Sequence, residues 1–328
     1  MQKIIPAALK SGDEIRVVAP SRGLKMIGAD SRELAEKRFG EMGLKVTFGT
    51  NTTDENWDLM GTTEIEKRAV DIMEAFTDHK VKAIFTIIGG VYSNQLLPVF
   101  GFDVIRNNPK IFCGFSDITA LLNGIYAQTG LVTFSGPHYS SFGMLKGFDY
   151  TWDYMQKMLI GKGSAQVLPS ESWSDDLWFL DQQKREMIKN DGYWTLHEGE
   201  ARGTIIGGNL GTLVLLNGSK YRPEFKDNTI LFVENCYSSG GDDADFLRQL
   251  QAIAYQPDFA KVKALVIGRF QKASDISRTK LEYIVNAIPQ LRELPIVANV
   301  DFGHTTPMLT LPIGGRCELT KDGLTLRV

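Results

Sequence analysis

The sequence predicts an α/β fold in two parts: an N-terminal domain built on a parallel sheet, then a smaller, strand-rich α/β domain. Three observations carry that prediction. The 328 residues exceed what one ordinary core encloses and suit two domains of roughly 150 residues each. Strand-sized apolar runs alternate with amphipathic helical stretches through the first half, which is how a parallel sheet acquires helices on its faces. Near residue 161 the alternation stops, and the text beyond 200 is rich in strands and ends in a hairpin.

In order, "EIRVVAP" reads as a strand, Ser31 to Met42 as a helix, "KVTFG" as a strand, and Glu64 to Phe76 as a helix. "KAIFTIIGG" is a buried strand closed by Gly89 and Gly90. Ile111 to Cys113 form another, after which Ile118, Leu121, Leu122 and Ile125 recur at helical spacing. Sheets of this kind collect chemistry at the carboxyl ends of their strands. The stretch from Gly161 to Glu200 is polar, aperiodic and holds three of the five tryptophans, so it reads as a connector with a decorated loop. The expected division is therefore 1–165, a connector and substrate loop at 166–200, and 201–328. In the last part "GTIIGG", "TILFVE", "KALVIGRF" and "PIVANVDFG" are strands, Asp243 to Ala254 is a helix with Asp242 and Asp243 as capping residues, and Asp322-Gly323 marks the turn of a closing hairpin.

Charge narrows the class of partner. With 36 basic and 39 acidic residues and a net charge of -3, nothing favours a broad grip on a nucleic acid polymer or an anionic membrane, so a small molecule or peptide is expected. The three cysteines, Cys113, Cys236 and Cys317, are odd in number and set in apolar surroundings, which argues against a disulfide framework or a zinc cluster. No metal or cofactor is expected. The first residues lack the apolar run of a signal peptide, and no stretch approaches the roughly 20 apolar residues of a membrane span, so the expected location is the cytoplasm.

Ser116 stands at the joint between the strand Ile111 to Cys113 and the helix after it. Such a serine is usually an N-cap. It can instead be the nucleophile of a tight strand-to-helix elbow, with Gly114 permitting the crowding, although Ile118 occupies the place of the second small residue in the usual pattern. A serine nucleophile needs a base and an orienting acid. Of four histidines, His79 and His197 lie among charged residues, His138 follows a strand with no acid nearby, and His304 follows an apolar strand in a loop bounded by Gly303 and Pro307. Glu234 ends the buried run Ile230 to Val233, where a carboxylate requires a partner. Gly89 and Gly90 would let a backbone amide approach the same crevice, with the Asp117 amide as a second donor to an oxyanion. Ser93 and Asn94 begin the following helix and are candidate substrate contacts. Asn209, at another strand–glycine–helix joint, could cap its helix or hold a substrate.

Taken together, "SGDEIRVVAPS", "IIGGVYSNQLLP", "FCGFSDITALLN", "IIGGNLGTLVLLNGS", "ILFVEN" and "ANVDFGH" resemble one family, the serine peptidases that comprise bacterial LD-carboxypeptidases and microcin C self-immunity proteins. The matches run through nearly the whole chain. The resemblance implies a Ser-Glu-His triad at Ser116, Glu234 and His304, an oxyanion hole from the amides near Gly90 and at Asp117, an active site in the cleft between the domains, and a cytoplasmic homodimer. "IGGVYSNQLLP" and the tryptophan-rich loop are closer to the immunity branch. That branch implies a peptidyl- or aminoacyl-nucleotide substrate whose base stacks on a loop aromatic, Trp173 or Trp178 here. The alternatives are a murein-recycling LD-carboxypeptidase and, in another class, a non-catalytic two-domain ligand-binding protein.

Overall fold

The computed structural model describes residues 2–53, 61–226, 228–237 and 243–328. The first half runs β1 (Glu14–Val18), α1 (Ala29–Glu41), β2 (Lys45–Phe48), α2 (Ile65–Thr77), β3 (Val81–Thr86), α3 (Phe102–Asn107), β4 (Ile111–Gly114), α4 (Thr119–Thr129), β5 (Thr133–Ser135) and α5 (Asp149–Leu159). Next come four short strands, β6 (Ser164–Val167), β7 (Ser172–Trp173), β8 (Ile188–Lys189) and β9 (Trp194–His197). The remainder is β10 (Ala201–Asn209), α6 (Leu210–Val214), β11 (Thr229–Glu234), α7 (Asp243–Ala254), β12 (Val262–Gly268), α8 (Arg278–Ala287), β13 (Ile296–Val300), β14 (Leu311–Ile313), β15 (Arg316–Thr320) and β16 (Gly323–Arg327).

The fold is the α/β class expected. One six-stranded sheet has the order β14-β5-β4-β3-β1-β2, and its strands β1 to β5 pair in parallel. An eight-stranded sheet has the order β6-β16-β15-β10-β11-β12-β13-β9, with β10 to β13 parallel and antiparallel strands at either side. Parallel strands buried on both faces need continuous apolar runs, and β11 is buried from Thr229 to Glu234.

Two features differ from the sequence expectation. The β14 strand, from the second half, pairs antiparallel with β5 and so completes the first sheet. The connector is more than a loop: β6 and β9 form the two edges of the second sheet, while β7 and β8 make a separate two-stranded ribbon. In the closing hairpin Thr320 pairs with Gly323, so Lys321 and Asp322 make the turn and Gly323, at φ 114°, opens the last strand. The capping expectation for Asp242 lies outside the described residues. Asp243 starts α7, where it accepts from the Ala244 amide and pairs with Lys280 at 2.9 Å.

The α4 helix joins the two sheets, which is why it is buried nearly all round rather than on one stripe. Its Asn123 donates to the Gly207 carbonyl at 2.8 Å, and its Thr119 hydroxyl accepts from the Asn209 amide at 2.9 Å. A side chain at Gly208 would collide with Thr119, so the glycine pair in "IIGGN" marks where the helix docks onto β10. Among the described residues, no helix is long and apolar enough to cross a membrane.

Candidate active site

Ser116 follows β4 by two residues and opens a short 3₁₀ turn that leads into α4. Its φ is 61°, a left-handed conformation that non-glycine residues adopt only under constraint. No capping hydrogen bond is made at this joint. Gly114 is required beneath it, because a side chain there would run into Thr86 and press on Ile118. The Ser116 hydroxyl lies 2.8 Å from His304 Nε2.

His304 follows β13, and its Nδ1 is 2.7 Å from Glu234 Oε2. A carboxylate only accepts, so Nδ1 carries a proton in either charge state; once the imidazole is neutral, Nε2 is the acceptor and the Ser116 hydroxyl donates to it. Glu234 is the last residue of β11 and is 3% exposed. Gly268 and Gly303 pack on it where any side chain would clash. The second carboxylate oxygen receives Asn209 Nδ2 at 3.0 Å. Asn209 is the last residue of β10, in register with Glu234, and its Oδ1 accepts from the Thr212 amide and hydroxyl at 3.0 Å each. It therefore caps α6 and fixes the acid, and both ends of its amide are occupied. Burial alone would lower the His304 pKa, but the Glu234 carboxylate facing it, aided by Cys236, more than reverses this and pushes it up to about 10.

The glycines after β3 lie against the serine. A Cβ at Gly89 would stand 3.0 Å from Ser116 Cβ and 3.6 Å from the Asp117 amide nitrogen. The Gly90 loop is held from two sides: Ser21 Oγ accepts from the Val91 and Tyr92 amides at 3.2 Å, and Asp117 Oδ2 accepts from the Tyr92 and Ser93 amides at 2.9 Å. The amides of Gly90 and Asp117 have no acceptor among the described residues. That arrangement leaves two donors without an acceptor on the segments that meet where Gly89 abuts Ser116, the kind of groups that can receive a developing oxyanion.

The remaining candidates divide. Ser93 is fully buried and donates to the Asp117 carbonyl at 2.6 Å, so it braces the loop instead of facing a ligand. Asn94 is half-buried on the same turn. Trp173 is half-buried in β7 with the Arg269 guanidinium 5.2 Å and the Lys272 ammonium 5.9 Å from its ring centre. Trp178 is half-buried with Phe179 set edge-on at 6.0 Å, between the exposed Leu177 and Leu180. Ser174, next to Trp173, exchanges two 2.8 Å backbone hydrogen bonds with Thr306, so the connector loop is stitched to the chain just after His304. His138 is buried, separated from His304 by the Phe115 ring, and bonded through Nδ1 to Thr86 at 2.7 Å. Burial, with a smaller contribution from His304, pushes its pKa down to about 3, so it is neutral.

Comparison with known proteins decides the family. Residues 15–136 match the LD-carboxypeptidase N-terminal domain and residues 202–319 the LD-carboxypeptidase C-terminal domain. The chain belongs to the LD-carboxypeptidase family. The crystal structure of an MccF-like protein from Bacillus anthracis is 47% identical, superposes with a TM-score of 0.95 and covers 99% of both chains. The microcin C7 self-immunity protein MccF of Escherichia coli is 31% identical over 99% of this chain and 95% of its own length. A Treponema pallidum protein provisionally named a carboxypeptidase is 44% identical over 98% and 93% of the two chains. The protein is a hydrolase of the serine carboxypeptidase type.

Within this family member, several supporting residues escape a reading of local sequence. Arg269 and Asp301 form a buried 2.5 Å ion pair. Asp301 also accepts from the Ser170 amide and hydroxyl at 2.8 Å and from the Tyr193 hydroxyl at 3.0 Å. Asp301 lies three residues before His304, so this cluster ties the connector to the histidine loop. The only sequence signal was a charged pair at two strand ends, "GRF" and "NVDFG". Replacing Arg269 by methionine strands the Asp301 carboxylate; we expect a loss of about 3–5 kcal/mol in chemical denaturation, with the tryptophan fluorescence of the connector changing below the main transition.

Proposed function

We propose that the chain hydrolyses the amide or phosphoramidate link of peptidyl- or aminoacyl-nucleotides. Ser116 is the nucleophile, His304 the general base and Glu234 the acid that orients it. The observation that carries this reading is the continuous hydrogen-bonded chain from Glu234 through His304 to Ser116. As the Ser116 oxygen attacks the substrate carbonyl, His304 Nε2 takes its proton, and Glu234 stabilises the resulting imidazolium. The carbonyl oxygen becomes an oxyanion beside the Gly90 and Asp117 amides, each worth roughly 3 kcal/mol. His304 then protonates the departing nitrogen, the link breaks, and a water activated by the same imidazole releases the acyl group from Ser116.

The nucleotide side of the reading is supported by structures of MccF, 30% identical with TM-scores of 0.87 and 0.88, in complex with glutamyl sulfamoyl guanosine and aspartyl sulfamoyl adenosine. Of the two loop tryptophans, Trp178 is the better stacking surface, because the ring of Trp173 is already engaged by Arg269 and Lys272. The reading includes a cytoplasmic homodimer; Leu177, Phe179 and Leu180, all more than half exposed, supply apolar surface for such contacts.

Purified protein offered both a murein tetrapeptide stem and an aminoacyl-adenylate analogue with a cleavable link should release the amino acid from the second. Cleavage of the stem alone would replace this reading by murein recycling. A wild type that binds ligand and turns over neither would favour the binding protein.

A further inference from the structure

Cleavage next to a chain end places a negative charge close to the breaking bond. A C-terminal peptide bond carries the free carboxylate on the leaving residue, and a phosphoramidate carries its phosphoryl group on the leaving nitrogen itself. Both substrates present an anion on the leaving side, and holding it in a partly desolvated cleft requires a fixed cation.

We infer that Arg22 binds this anion and so selects substrates with a negative charge on the leaving side of the scissile bond. The inference rests on the hydrolase reading above. Arg22 Cγ lies 3.2 Å from where a side chain on Gly90 would begin, so its stem crosses the loop that offers the Gly90 amide, and the adjacent Gly89 abuts Ser116. The segment carrying it is anchored: Ser21 Oγ receives the Val91 and Tyr92 amides, and the Thr62 hydroxyl donates to the Ser21 carbonyl at 2.6 Å. Arg22 is half-buried, yet its guanidinium makes no hydrogen bond or ion pair among the described residues.

Arg68, which packs against the same loops, shows the contrast. Its guanidinium donates to the carbonyls of Thr63, Pro20 and Tyr92 and to the Gln95 side chain, so it is structural. Arg22 instead has no acceptor for its guanidinium among the described residues, on a stem that crosses the Gly90 loop, and a planar fork of donors can take a carboxylate or phosphoryl group bidentately. An anion held there turns the scissile carbonyl toward the Gly90 and Asp117 amides. A side chain on Gly90 would collide with the Ser21 hydroxyl and press on the arginine stem.

The test uses calorimetry in a Ser116→Ala background, where binding is read without turnover. The probes are a peptide with a free C-terminal carboxylate, the same peptide as its C-terminal amide, and aspartyl sulfamoyl adenosine, whose acylated sulfamate nitrogen is anionic. With Arg22 present, the acid should bind more tightly than the amide. Arg22→Gln should weaken the anionic probes on the order of 10- to 100-fold and bring the acid-to-amide ratio close to one, while Arg22→Lys keeps part of the preference. Loss confined to the peptide acid identifies a carboxylate as the anion, and loss confined to the sulfamoyl nucleoside identifies a phosphoryl-like group. Equal losses for acid and amide, affinities unchanged for all three probes, or no binding of any probe would each overturn the inference. A matching thermal melt shows that the variants are folded. Failure of the hydrolase reading is seen separately, as a wild type that discriminates acid from amide and cleaves neither the peptide nor an aminoacyl-adenylate.

Discussion

Replacing Ser116 by alanine should lower kcat on the order of a millionfold while the protein stays folded, because the attacking oxygen is gone and what remains is binding and the oxyanion amides. A second substitution at the same place separates chemistry from strain. Ser116 is held at φ 61°, where a side chain is unfavourable and glycine is not. Ser116→Gly should therefore abolish turnover as completely as alanine and also gain about 1 kcal/mol of stability relative to the alanine variant. Single-turnover assays and chemical denaturation of the two variants measure both effects. Retention of more than a trace of hydrolysis by either would remove Ser116 from the chemistry.

Glu234→Gln is expected to lower kcat about ten-thousand-fold and to move the pH profile. His304 has to be neutral to accept the serine proton, and its pKa is raised, so activity in the wild type should climb with pH along a limb lying above histidine's ordinary 6.5. The neutral amide of glutamine removes the charge that stabilises the imidazolium. The limb should then move to lower pH even as the plateau falls. Asn209→Ala removes the hydrogen bond to the other oxygen of that carboxylate, leaves it a stronger partner for the imidazolium, and should move the limb by a smaller amount in the opposite direction, to higher pH. A profile for Glu234→Gln with its acidic limb unmoved would mean that Glu234 does not set the protonation of His304.

The structure explains which parts of this arrangement could be read from the chain alone. Ser116, Glu234 and His304 each follow or end an apolar run, and the carboxyl ends of β4, β11 and β13 meet, so a rule about strand ends made them candidates and the family resemblance joined them into a triad. Helix α7 was legible to the residue because its apolar face recurs at helical spacing. The β14 strand was not, since three residues carry no period and nothing local says that a strand from the second half will pair with β5. The connector strands β7 and β8 are two residues each, below what alternation can register.

Polar residues were harder for a different reason. Whether Ser93 faces a ligand or braces Asp117, and whether Asn209 holds a substrate or Glu234, depends on which distant backbone arrives opposite it. Residue type and local spacing do not contain that information. The same holds for Arg22, whose interest lies in lacking an acceptor among the described residues, where Arg68 donates to Thr63, Pro20, Tyr92 and Gln95.

The most direct measurement of the central claim is a double-mutant cycle on kcat/KM with Ser116→Ala, His304→Ala and the two combined. If the imidazole works only by deprotonating the Ser116 hydroxyl 2.8 Å away, the double variant should be no slower than the worse single variant. Losses that multiplied in the double variant would show the two side chains acting independently and would contradict the account.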